Sequence, residues 1–175
     1  MNEKIQSNEL EFLHKLWAKI DQTIIHLEMI ENDPKPWDYR SIICAETLMV
    51  QIYTGIEDTL RLFLEKVKGI ELNKSEKWHE DLLQFGLNNN IISKNNHEML
   101  KKYLDFYLFV NNSFQFNLDA DKLYLAIPKA IGVFLSFIKD LQDMYGIDFE
   151  FHCTRAVENK GNESSSAILR NANFY

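Results

Sequence analysis

Residues Tyr39 to Gly69 read YRSIICAETLMVQIYTGIEDTLRLFLEKVKG, and their spacing decides the fold. Ile42, Ala45, Leu48, Ile52, Ile56, Leu60, Phe63 and Val67 recur at steps of three and four, the stripe of a helix that buries one face. Asp38 stands where a helix needs a side-chain cap for its first free N–H groups, and Gly69 follows directly on the last periodic stretch. A helix this long and this one-sided is central, and it needs other elements along its length to cover the stripe.

The same period continues on both sides. Leu10, Leu13, Trp17, Ile20, Ile24, Leu27 and Ile30 form a preceding stripe, stopped at Asn32-Asp33-Pro34-Lys35-Pro36, where proline removes a backbone donor and disfavours helix in the residue before it. Downstream, Ser75 with Trp78 to Leu83 predicts a short helix ending near Gly86 and the polar Asn88-Asn89-Asn90. Ser93 then opens a helix carrying Met99, Leu100, Tyr103, Phe106, Tyr107 and Val110 towards Phe114. Asp119 caps a last helix that Gly146 ends, and Pro128 inside it implies a kink or a later start. With only six Gly and three Pro in 175 residues, turn-rich sandwiches are disfavoured. The expectation is all-α: an up-and-down bundle of about four long helices plus a short one, spanning 1–146, with 147–175 as a mobile polar tail.

Bulk properties narrow the function. At 46% hydrophobic residues the chain can enclose one core, and its net charge of −7 repels polyanions, so nucleic acid is not favoured as a partner. Cys44 and Cys153 lack the paired spacing of a zinc site or disulfide framework, which fits a reducing, cytoplasmic compartment. No stretch approaches the roughly eighteen apolar residues of a membrane span, and Met1 to Gln6 is polar and charged.

Individual residues carry little chemistry on their own. Gly55 within the central helix reads as a close-packing position, since glycine there costs about 1 kcal/mol against alanine. His79 reads as a hydrogen-bonded structural group, and His14, His26, His97 and His152 show no ligand spacing, so neither a metal site nor any other cofactor is expected. Asp119 and Asp121 are an ordinary helix-start pair. The aromatic set Tyr103, Phe106, Tyr107, Phe109, Phe114 and Phe116 covers more than one helix face, which leaves two readings open: part of it meets a second subunit, or it is a large core with scattered exposed rings.

Three stretches appear together in order: Gln51-Ile52-Tyr53-Thr54-Gly55-Ile56-Glu57, then Trp78-His79-Glu80-Asp81-Leu82-Leu83, then an aromatic-rich helix leading to Phe116-Asn117-Leu118-Asp119. From about Pro34 to Leu141 this resembles the HepT-like branch of the HEPN superfamily. The resemblance implies a homodimeric helical bundle, a small nucleotidyltransferase antitoxin as partner, and metal-independent RNA cleavage by an Arg-x-x-x-x-His-x-Tyr motif near the end of the fourth long helix. There the histidine would move a proton and the arginine would hold the phosphate.

Matched backwards from Leu118-Asp119, the motif falls on Tyr107 to Phe114. Tyr107 replaces the arginine, Asn112 the histidine, and Phe114 the tyrosine that antitoxin partners of related toxins modify with AMP. Asn112 carries no proton that exchanges near neutral pH, and Tyr107 has no positive charge. Between Leu104 and Leu118 the formal charge is Asp105 alone, which repels phosphate. The chain is therefore expected to be a pseudoenzyme without catalytic residues. Its expected action is through protein contacts in a toxin–antitoxin or defence setting, with Phe106, Phe109, Asn111 and Phe116 as candidate interface residues. The alternatives are an RNA endonuclease that uses non-family residues and a small-ligand-binding helical protein.

Overall fold

The computed structural model describes residues 5–72, 75–112 and 119–159. Among them are α1 (Ser7–Glu31), α2 (Tyr39–Leu62), α3 (Trp78–Asn88), α4 (Lys94–Asn112), α5 (Ala120–Tyr145) and the six-residue α6 (Thr154–Asn159). Four helices of 19 to 26 residues and the 11-residue α3 make the all-α bundle that the periodicity predicts.

Helix α2 is the spine. It packs against α1, α3, α4 and α5, and it places Ala45, Met49, Ile52, Tyr53, Ile56 and Leu60 fully out of solvent. Large side chains buried this way contribute roughly 2 kcal/mol each by leaving water, which sets the direction of assembly. Asp38 accepts the amide of Ser41 at 2.8 Å, as its position predicts, and the C-terminal end widens into one π turn, Phe63–Val67, before Gly69 at φ 65 reverses the chain.

The approach of α1 to α2 is set by Gly55. A first side-chain carbon there would overlap the Ile20 side chain, so Ile20 keeps its present place only against glycine. Four residues on, Thr59 accepts the Trp17 indole N–H at 3.2 Å and donates to the Gly55 carbonyl at 2.8 Å, which satisfies two polar groups inside the α1–α2 contact.

Two helix-breaking residues lie inside helices. Helix α3 runs past Gly86 to Asn88, and Asn90 at φ 53 makes the turn; Gly86 faces Leu60 and Ile92, a packing role rather than a terminal one. Helix α5 begins at Ala120 and continues through Pro128, whose missing N–H is tolerated within a helix held by the buried Leu123, Ile127, Ile131 and Phe134. Asp119 accepts the Asp121 amide at 3.1 Å, and Gly146 at φ 65 ends the helix as expected.

The largest departure lies beyond Gly146. Residues 147–159 are not a mobile tail: Ile147, Phe151 and Cys153 are buried, and Phe149 and Phe151 lie against Trp17 at 5.7 and 6.4 Å. Apolar side chains alternate at 147, 149, 151 and 153, an extended pattern that a helical period does not register. Residues 160–175 lie outside the described residues.

Candidate functional site

The C-terminal half of α4 crosses the α2 spine beside the first turn of α3, and polar chemistry collects at that junction. Glu57, in the buried stripe of α2, places Oε1 2.5 Å from Nδ1 of His79 on α3. The carboxylate side chain is 6% exposed and the imidazole 27%, so the pair bridges core and surface. Burial raises the pKa of Glu57, and the hydrogen bond from His79 acts against that rise. With Nδ1 committed to Glu57, Nε2 is the imidazole nitrogen left for outside chemistry.

Tyr107 fills the space between the pair and the core. Its ring lies 5.4 Å from His79 and 4.6 Å from Tyr53, and burial followed by the charge of Glu57 pushes its pKa up, while hydrogen bonding with Thr54 and Asn111 acts the other way. Tyr53 is fully buried, its hydroxyl has no hydrogen-bond partner among the described residues, and its pKa is raised, first by burial. Its neighbour Tyr103, 5.2 Å away, donates to the Met49 carbonyl at 2.6 Å. At the edge, Arg61 is engaged with Asp58 at 2.8 Å.

The sequence-derived residues fall into four groups. Tyr107 is half-buried and turned into the α2–α3–α4 junction, while Asn111, Asn112 and Phe109 are exposed on α4. Phe106 does not reach the surface: it is 1% exposed and packs 6.3 Å from Tyr103, so it is a core residue, correcting its place among the interface candidates. The helical period explains this, since Phe106 lies three residues from the buried Tyr103 and shares its face. Phe114 and Phe116 lie outside the described residues.

The junction brings His79 to Glu57 across 22 residues of sequence, a pairing the sequence reading did not make. A signal was present: Glu57 follows Tyr53 by four and precedes Leu60 by three, so a carboxylate sits inside an apolar stripe and needs a partner. Glu46 interrupts the same helix face, and it is also buried, with neither carboxyl oxygen hydrogen-bonded among the described residues. Among the described residues no group of three or more His, Cys, Asp and Glu side chains is placed to hold a metal ion, and no helix is long and apolar enough to cross a membrane.

A family model described as "HepT-like protein" matches residues 44–147, more than half of the chain and every helix of the junction. Neither a curated protein nor a solved structure matches the chain.

Proposed function

The chain belongs to the HepT-like family, part of the HEPN superfamily, and from that premise we propose that it is a catalytically degenerate member that acts through protein contacts in a toxin–antitoxin or defence system. The observation that carries the reading is the setting of Tyr107. Where the family motif calls for a cation facing phosphate, this chain has a neutral ring stacked between Tyr53 and His79. A guanidinium holds phosphate through several charged donors, and a phenol with a raised pKa supplies no positive charge at all. Asn112, exposed at the histidine position, has an amide that neither takes nor gives a proton near neutral pH.

The last turn of α4 is uncharged and partly apolar: Phe109 at 42% exposure beside Asn111 and Asn112. Such a surface suits another protein better than a polyanion. A second copy of the chain or a nucleotidyltransferase-type antitoxin is the partner in this reading, in the cytoplasm, and sedimentation velocity of the pure chain, alone and with the product of a neighbouring nucleotidyltransferase gene, tests it. A monomer that binds no such product contradicts it.

One observation favours a second reading. Glu57 orients His79 by its Nδ1 as a carboxylate orients the base of a catalytic dyad, which is the arrangement a ribonuclease with non-family residues would use. Metal-free RNA cleavage abolished by His79→Ala and unchanged by Asn112→Ala would favour it; absence of cleavage removes it.

A further inference from the structure

The segment after α5 is attached to the body in an unusual way. Its backbone leaves α5 through Gly146 at φ 65, and from there the ordinary helix ladder ends. Four consecutive amides are then taken by two buried carboxylates of α1. Asp21 accepts from His152 at 2.9 Å and from Cys153 at 3.0 Å, while Glu28 accepts from Thr154 at 2.8 Å and from Arg155 at 3.0 Å. Asp21 and Glu28 are seven residues apart, two helical turns, so they lie on one face of α1 and hold successive steps of the chain. The Arg155 guanidinium closes the far end on Glu31 at 2.5 Å.

Beneath this latch lies an aromatic groove. Phe149 and Phe151 sit on Trp17, Phe149 also meets His14 at 5.6 Å, and Phe151 meets Phe134 of α5 edge-on at 5.6 Å. Cys153 is fully buried, and burial pushes its thiol up to about 12. Yet the segment has little regular structure of its own: residues 147–153 are not helical, and α6 is far below the length at which a helix stands alone. Native proteins open in contiguous cooperative units at free energies below that of global unfolding, and a segment outside the helix ladder, held at four successive amides by two side chains, has the outline of such a unit.

We propose that Ile147–Asn159 is a strap, latched by Asp21 and Glu28, that opens as a unit while the five-helix body stays folded, uncovering the Trp17–Phe134 groove and the Cys153 thiol. Gly146 is the hinge. Opening turns a closed face between α1 and α5 into an exposed aromatic one, and a thiol protected by burial into one that solvent-borne electrophiles reach.

The test uses the full chain carrying Cys44→Ser, so that Cys153 is the one thiol present. Iodoacetamide alkylation of Cys153 and amide exchange at His152 to Arg155 are followed under native conditions against amides in the centres of α2 and α5. The strap predicts that the four latch amides exchange at least about tenfold faster than the helix centres and in step with alkylation, and that Asp21→Asn or Glu28→Gln raises both rates about tenfold again without changing α2. Latch amides that exchange only at the rate of the helix centres overturn the proposal, as does alkylation that neither variant accelerates. Should a variant fail to fold, the comparison within the Cys44→Ser chain still decides between local and global opening.

Discussion

Oε1 of Glu57 and Nδ1 of His79 lie 2.5 Å apart, and this contact ties the spine helix to the first turn of α3. The carboxylate is almost wholly buried, so loss of its partner leaves an unpaired polar group in the core. His79→Ala is therefore expected to lower stability by about 2–3 kcal/mol in urea unfolding at pH 7. Adding Glu57→Gln to His79→Ala is expected to recover about 1 kcal/mol of it, because the residual amide carries no charge to strand. Equal losses in single and double variants would contradict the pairing.

Glu46 gives the opposite sign. Burial raises its pKa above 4.5, and its carboxyl oxygens have no hydrogen-bond partner among the described residues. Below pH 4.5 both folded and unfolded chains hold the proton, so the site costs nothing through ionisation. As pH rises through 4.5 the unfolded chain ionises first, and stability falls until the raised folded value is passed. Glu46→Gln should then stabilise the protein by about 1 kcal/mol at pH 7, a gain that fades on acidification towards pH 4. Thermal midpoints of both proteins across that range check it.

Two tyrosines in contact are expected to behave differently. Tyr103 donates to the Met49 carbonyl, whereas the Tyr53 hydroxyl is buried with no partner among the described residues. Tyr103→Phe should cost about 1 kcal/mol, and Tyr53→Phe should be neutral or stabilising by up to about 1 kcal/mol. Urea midpoints at constant slope distinguish them.

Gly55 is held to glycine by Ile20. Gly55→Ala gains about 1 kcal/mol of helix propensity but forces α1 away from α2, so a net loss of about 1–2 kcal/mol is expected. Pairing it with Ile20→Ala, which opens room for the new methyl, should bring the double variant above Ile20→Ala alone. A stabilising Gly55→Ala by itself would contradict the close approach.

Much of the fold was legible because it rests on one period. The stripe from Ile42 to Val67, the caps at Asp38 and Asp119 and the stop at Gly146 each follow from local rules, and each stands where those rules place it. The end of α3 at Asn88 and the start of α5 after Asp119 follow the same local rules, and Pro128 is carried inside α5 by the burial of the helix around it. The segment from Ile147 was misjudged for two reasons: its apolar residues alternate by two, and its backbone partners are Asp21 and Glu28, more than a hundred residues away in sequence. The candidate site was half legible. The helical period places Tyr107, Asn111 and Asn112 on the fourth long helix, but the burial of Phe106, the inward turn of Tyr107 and the meeting of Glu57 with His79 depend on how α3 and α4 cross α2.

The central claim is that α4 retains its place in a HepT-like scaffold while the chemistry of its motif is gone. The most direct measurement is the initial rate of cleavage of a labelled RNA by the pure protein at pH 7 in excess chelator, with Asn112→Ala alongside. The account predicts that both proteins are indistinguishable from buffer. Cleavage well above buffer, abolished in Asn112→Ala, would contradict it.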